Sequence, residues 1–148
     1  MLLVRKLVRN DLQGLLALYA HLHATDEALP CHEQVDAVWN QIMNDSNQLY
    51  FGGFVDDRLV SACNASVIPN LTRGGRPYAV VENVVTHADR RRQGVGTAVM
   101  KRLLDECTHR GCYKIVLMSS VSRTDAHQFY ELLGFDKTSK QAFILKVK

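Results

Sequence analysis

Residues 90–97, with the sequence RRRQGVGT, constrain the fold of this 148-residue chain more than any other segment. The apolar run at residues 79–85 precedes them, and apolar side chains at helical spacing follow them. This pattern predicts a strand that leads through a basic turn directly into a helix. The N–H groups and positive dipole at a helix start favour an anion. The residues alone fit a phosphate or pyrophosphate site and an ordinary turn with solvated arginines equally well.

The length suits one domain spanning residues 1–148, and the fractions of apolar and charged residues are those of a globular protein. The net charge of +3 is too small to indicate nucleic acid as a general partner. The first four residues are too short for a signal peptide and no run is long enough to span a membrane, so we expect a cytoplasmic protein. The four cysteines form no CxxC pair, which favours reduced thiols over a metal site.

Hydrophobic periodicity and turn residues divide the chain into alternating elements without a linker or repeat. Two strands joined by a hairpin are followed by a β–α–β–α–β order, which predicts an α/β fold with a mixed central sheet and helices on both faces. Gly52 and Gly53 interrupt one strand and predict a bulge. The predicted strands are residues 2–7, 50–55, 59–67, 79–85, 113–118 and 143–147, and the predicted helices are residues 12–22, 32–43, 95–107 and 126–133.

Residues 68–78 form the longest irregular stretch next to the central strand. The stretch contains two prolines and two glycines, a composition typical of a loop, and loops beside a sheet often carry binding groups. Arg73 and Arg76 are candidates to meet an anionic substrate or a cofactor phosphate. The alternative is a solvated hairpin tip.

Two motifs resemble those of the GCN5-related N-acetyltransferase (GNAT) superfamily. The pattern Arg91-x-x-Gly94-x-Gly96 after an apolar strand is similar to its acyl-CoA pyrophosphate loop, and residues 126–135, AHQFYELLGF, are similar to its helix before the final strand. The order of elements matches the family across nearly the whole chain. A dinucleotide-binding fingerprint would need a third glycine, and a Walker loop would need Gly-Lys-Ser/Thr.

The resemblance implies where acetyl-CoA would bind. The pantetheine arm would pair with the backbone of the central strand, a strand N–H near Val84 would polarise the thioester carbonyl, and the sheet would open toward residues 113–118. The family often has an asparagine in the loop before the last helix. This chain has none at residues 119–125, which leaves Ser122, Arg123 or Asp125 as candidates for that contact. The cofactor residues implied are Val84, Val85, Thr86, Arg91, Arg92, Gln93, Gly94, Val95, Gly96, Thr97 and Asp125.

Two side chains are candidates for catalysis. Tyr130 occupies the position of the family's usual general acid, and a phenol has a pKa suited to protonating a leaving thiolate. Without the resemblance, a helix tyrosine packed in the core is the better interpretation. Glu82 lies in a mostly apolar strand expected to be buried, and burial would raise its pKa and make it a better base. It is also a candidate to bind the substrate ammonium or a local backbone group.

The sequence therefore predicts an acetyl-CoA-dependent N-acetyltransferase that acts on a primary amine of a small molecule. The amine would attack directly in a ternary complex, because no cysteine lies at an obvious site for an acyl-enzyme. Residues 25–32 and 68–78 would contribute to substrate recognition. Alternatives are a protein or peptide N-acetyltransferase and a non-catalytic acyl-CoA-binding module. The predicted final strand, residues 143–147, is a candidate surface for a homodimer.

Overall fold

A computed structural model describes all residues from 1 to 148 and divides them into two compact units, residues 1–116 and residues 117–148. The first unit contains three helices and nearly the whole of a five-stranded sheet. The second unit contains one helix. The elements are β1 (Leu2–Lys6), α1 (Leu12–Tyr19), α2 (His32–Asn44), β2 (Gln48–Val55), β3 (Arg58–Ile68), β4 (Tyr78–Thr86), α3 (Val95–His109), β5 (Ile115–Leu117) and α4 (Thr124–Leu132).

The strands follow one another in the sheet in chain order, β1-β2-β3-β4-β5. The first four strands pair with one another in antiparallel fashion. The start of β4 is joined to the segment before β5 by two bonds, from Tyr113 N–H to the Pro77 carbonyl (2.9 Å) and from Ala79 N–H to the Lys114 carbonyl (3.1 Å). The partners advance in the same direction along both segments, so β5 runs parallel to β4. The predicted mixed sheet is thereby confirmed.

Two adjacent glycines in β2 show that the sheet carries helices on both faces. A Cβ at Gly52 would lie 2.5 Å from Leu59 Cδ1, within the apolar cluster that includes α1 and α2. A Cβ at Gly53 would lie 2.8 Å from Val99 Cγ2 on α3. Adjacent strand residues point to opposite faces, so α3 lies on the face opposite α1 and α2. The predicted bulge is confirmed, because the pairing of β2 with β3 shifts between Gly53 and Phe54.

We expect Gly53→Ala to destabilise the first unit by about 1–3 kcal/mol, since the new methyl group would overlap valine side chains that rotate little. Urea unfolding followed by circular dichroism measures this change. Gly14→Ala is the matched control, because its Cβ would lie at an ordinary 3.6 Å from Leu59 Cβ. The control should stabilise α1 by up to ~1 kcal/mol. Equal stability of Gly53→Ala and the native chain would contradict the close packing of α3 on β2.

The structure corrects several predicted boundaries. The first helix ends at Tyr19 rather than residue 22, and β5 is shorter than predicted. The last helix begins at Thr124 rather than residue 126, so Asp125 lies in its first turn and Arg123 takes the N-cap position. The predicted strand at residues 143–147 is wrong for the single chain, since these residues have no regular secondary structure and are all exposed. A strand requires a partner, and this segment pairs with no strand of the chain.

Candidate functional site

The middle of β4 contains a bulge that the sequence analysis missed. Ala62 and Asn64 of β3 are two positions apart, but they pair with Val85 and Glu82 of β4, which are three positions apart. The extra residue places Asn83 in the left-handed region, with φ 52°. A bulge leaves the extra residue unpaired and interrupts the ladder. The backbone of β4 is therefore distorted at the point where the resemblance implies that an N–H polarises the thioester.

Glu82 is exposed, so the prediction that it lies buried on its strand is wrong. It stands opposite Asn64, which is buried and in turn stands opposite Tyr50 of β2. The Asn83 side-chain amide donates a hydrogen bond to Asn64 Oδ1 (3.1 Å) across the bulge. The Glu82 carboxylate is thus accessible to a solute on the sheet face that carries α1 and α2.

The part of β4 beyond the bulge extends past the short strand β5. Two backbone bonds fix the segment before β5 at the start of β4, and β5 has only three residues against the nine of β4. Val84, Val85 and Thr86 follow the bulge along β4. The Thr86 hydroxyl is bonded to Ser61 Oγ (2.9 Å), and Ser61 Oγ also donates to the Val85 carbonyl (3.0 Å).

The start of α3 presents N–H groups that have no acceptor in the helix. The first helical bond is donated by Ala98 N–H to the Gly94 carbonyl (3.0 Å), and no side chain caps the helix. The amides of Val95, Gly96 and Thr97 therefore remain available for an anion. Gly94, the N-cap, adopts φ 79°, a left-handed conformation that glycine accepts without a steric penalty.

The arginines of the turn differ in what they contact. Arg91 donates from Nε to the Thr86 carbonyl (3.1 Å) and from Nη2 to the His21 carbonyl (3.0 Å). Its side chain thus ties the turn to the end of β4 and to the segment after α1. Arg92 is exposed, with φ 59°, and its guanidinium forms no hydrogen bond or ion pair. The Gln93 side chain donates to the Asp89 carbonyl (2.9 Å) and closes the turn on itself.

A polar cavity of about 290 Å³ lies beside this turn, at the β2–β3 hairpin. Arg58 and Arg90 line it together with His87. The ring of His87 lies 4.0 Å from that of His21, and Arg58 contacts His87 Nε2 at 2.8 Å. Loss of hydration and these positive neighbours lower the pKa of His87. The histidine is therefore disposed to be neutral, and the positive charge at this end of β4 comes from arginines.

A second cavity, of about 180 Å³, lies between α1 and α2 and is almost wholly apolar. Trp39 is buried on one side of it and donates from Nε1 to the Arg9 carbonyl (3.0 Å), so this side chain forms part of the cavity wall. Leu29 and Pro30 contribute from the connection between the helices, within the predicted recognition segment at residues 25–32.

The cysteines are free thiols, and the two that lie deepest are poor nucleophiles. Cys63 and Cys107 are both buried, and their surroundings raise the pKa of each thiol, to about 12 for Cys107. The Cys63 sulfur faces the Val99 carbonyl at 3.9 Å, inside the packing between the sheet and α3. Neither side chain is suited to form an acyl-enzyme.

The second unit carries the other predicted site residues, Tyr130 and Asp125. Tyr130 is half-buried on α4, with its ring between those of Phe129 (centroids 5.3 Å apart) and Phe135 (6.1 Å). Phe135 N–H donates to the Tyr130 carbonyl (3.1 Å) where the helix ends. Asp125 is exposed. His127 is half-buried and contacts the Ser120 carbonyl at 2.9 Å.

Asn64 and Asn83 are the site residues that the sequence analysis overlooked. One signal was present in the order Val80-Val81-Glu82-Asn83-Val84-Val85, in which apolar residues occur as pairs rather than alternating. An asparagine within such a run tolerates the left-handed conformation better than most residues. A break in alternation at an asparagine indicates a bulge.

The model of the acetyltransferase (GNAT) family matches residues 15–135. The chain therefore belongs to this family. A protein from Agrobacterium tumefaciens str. C58 that is regarded as an acetyltransferase superposes with a TM-score of 0.91 at 32% identity, covering 98% of this chain and 99% of that one.

Relatives with named substrates are also similar. A glucosamine 6-phosphate N-acetyltransferase of Trypanosoma brucei brucei is 36% identical over 84 residues, which are 57% of this chain and 55% of that protein. The chain spans about half the length of the curated relatives it matches. The structure of the glucosamine-6-phosphate N-acetyltransferase of Arabidopsis thaliana superposes with a TM-score of 0.85 at 23% identity, covering 98% of each chain, which supports the fold alone. None of the helices of this chain has the length and apolar character needed to cross a membrane.

Proposed function

We propose that this chain transfers the acetyl group of acetyl-CoA to a primary amine of a small molecule, by direct attack in a ternary complex. The observation that carries the proposal is the bulge in β4, followed along the chain by a helix start with three unbonded amides. Val84, Val85 and Thr86 would pair with the pantetheine arm. Arg92, Gln93 and Gly94 would surround the pyrophosphate together with the amides of Val95, Gly96 and Thr97. Arg91 would hold the turn in place.

The reaction needs two proton transfers. The amine lone pair attacks the thioester carbonyl carbon, the N–C bond forms, and the C–S bond then breaks to release the CoA thiolate. Glu82 would receive the proton that the amine loses, directly or through water, and it would also attract the incoming ammonium. Tyr130 would give its phenolic proton to the thiolate. The buried thiols of Cys63 and Cys107 support direct attack over an acyl-enzyme.

The relatives support a small-molecule acceptor. The Trypanosoma protein is named for glucosamine 6-phosphate, an amino sugar. Residues 25–32 and 68–78 would recognise the part of the acceptor that does not react. The four free thiols support a reducing compartment such as the cytoplasm.

Release of CoA thiol from acetyl-CoA over a panel of amines tests the activity. We expect turnover with at least one small primary amine and none with N-acetylated versions of the same compounds. Acetyl-CoA binding without turnover of any amine or peptide would identify a binding module instead. Turnover of peptides alone would identify a protein N-acetyltransferase. Mass spectrometry of the product confirms which nitrogen carries the acetyl group.

We also propose a homodimer formed through residues 143–147. Phe143, Leu145 and Val147 are 88–90% exposed in the single chain, and Ile144 is 64% exposed. Exposed apolar side chains in a row favour burial against a partner. Light scattering on the full chain and on a chain ending at residue 142 tests this proposal, with a dimer expected only for the former. In this proposal residues 1–148 act as one N-acetyltransferase domain.

A further inference from the structure

Three cations gather around one tyrosine ring at the start of β4. Arg73 and Arg76 lie in the β3–β4 connection, with their guanidinium carbons 5.9 Å and 5.8 Å from the centre of the Tyr113 ring. Lys114 Nζ lies 5.3 Å from the same centre and 5.2 Å from the centre of the Tyr78 ring. The two rings meet edge to face at 6.4 Å. We call these five residues the cation cluster.

The cation cluster contains no carboxylate. The ion pairs of the structure involve none of its three cations. Arg76 donates from Nε to the Arg73 carbonyl (3.2 Å), a bond that leaves both of its terminal nitrogens available. All three cations are exposed. Three like charges on two aromatic rings repel one another, and a bound anion would relieve that repulsion.

The backbone holds the cluster together. The bonds from Tyr113 N–H to the Pro77 carbonyl and from Ala79 N–H to the Lys114 carbonyl fix the segment before β5 against the start of β4. Residues from two distant parts of the sequence are thereby brought to one place. The Asn70 side chain donates to the Thr72 carbonyl (3.1 Å) and orders the connection just before Arg73.

The cluster lies at the opposite end of β4 from the start of α3. Tyr78, Val80 and Glu82 alternate with buried residues and share one face of the strand, before the bulge. Tyr78 is four residues from Glu82, or about 13 Å along the strand. A ligand held at the cluster can therefore extend along this face toward the Glu82 carboxylate. The cofactor would approach from the other end.

We propose that Arg73, Arg76 and Lys114 bind the phosphate of a phosphorylated acceptor amine. This inference rests on the proposed function, because Glu82 marks the end at which the amine reacts. A phosphate monoester carries a charge of about −1.5 to −2 at pH 7, so it balances three cations better than a carboxylate with a single negative charge. The two guanidinium groups match phosphate oxygens in geometry. The separation from Glu82 selects acceptors whose amine and phosphate lie far apart.

Paired acceptors of increasing length test the proposal. Each ω-amino alcohol, from two to eight carbons, is compared with its phosphate monoester in the thiol-release assay. For the long pairs we expect the phosphate to raise kcat/KM at least tenfold, and for ethanolamine to raise it less than threefold. In the double variant Arg76→Ala/Lys114→Ala, kcat/KM for the phosphate should exceed kcat/KM for the matching amino alcohol by less than threefold at every length. The charge-conserving variant Arg76→Lys/Lys114→Arg should retain most of the increase in kcat/KM that the phosphate gives. Lys101→Ala on α3 is a control that should retain all of this increase.

Direct binding separates this inference from the proposed function. Titration calorimetry with 8-aminooctyl phosphate, without acetyl-CoA, should show an affinity that falls at least tenfold in the double variant. Such a loss, without acetylation of any amine, would support the anion site and overturn the proposed function. Two outcomes would overturn the anion site without contradicting the proposed function. The first is equal kcat/KM for acceptors with and without phosphate, and the second is a phosphate preference that the double variant retains.

Discussion

Replacing Tyr130 with phenylalanine is expected to lower kcat by about 100- to 10,000-fold, the usual contribution of a general acid. The substitution removes only the hydroxyl, and the ring keeps its place between Phe129 and Phe135. The end of α4 should therefore be preserved. The affinity for acetyl-CoA, measured by calorimetry, should change less than twofold. The expected signature is a large loss in turnover at constant cofactor binding.

Two outcomes would remove Tyr130 from the acid role. Unchanged kcat would show that the thiolate leaves without its proton or takes it from another group. A loss of kcat accompanied by an equal loss of acetyl-CoA affinity, or by a lower melting temperature, would indicate a packing role for the hydroxyl.

The sequence predicted the local elements well because the patterns that define them are local. The turn before α3 and the hairpin of β2 and β3 depend on residues close to one another in the chain, and both lie where the residues indicated. The pairing of distant segments could not be read in the same way. The bulge at Asn83 exists only in relation to β3. The cation cluster exists only because Lys114 is paired beside β4.

Two wrong predictions have the same physical cause. Each assumed that another part of the chain covers the Glu82 side chain or pairs with residues 143–147, and the structure contains neither arrangement. Glu82 was expected to be buried because its strand is apolar, yet its side chain is exposed. Residues 143–147 are mostly apolar, as in a strand, but strand pairing is decided by the partner rather than by intrinsic preference. Whether a side chain is buried depends on the whole fold. The local pattern of apolar residues predicts burial correctly only when another element packs against each face of the strand.

A carboxylate placed at the start of α3 is expected to abolish most cofactor binding. In Gly96→Asp the new side chain would lie among the unbonded amides of Val95, Gly96 and Thr97, where it would compete with the pyrophosphate and repel it. Repulsion between like charges at a binding site costs several kcal/mol. We expect the Kd for acetyl-CoA to rise by at least about 100-fold, equivalent to about 2.7 kcal/mol.

The same substitution should not weaken the fold, which makes the prediction specific to binding. An acidic residue in the first turn stabilises a helix by about 0.3–1 kcal/mol, and replacing a helical glycine adds to this gain. Gly96→Asp should therefore melt no lower than the native chain while losing acetyl-CoA affinity. Gly96→Ala is the matched control, which introduces a side chain without charge and should lose less affinity than the aspartate. Acetyl-CoA binding to Gly96→Asp with native affinity would show that the amides of α3 do not hold the pyrophosphate.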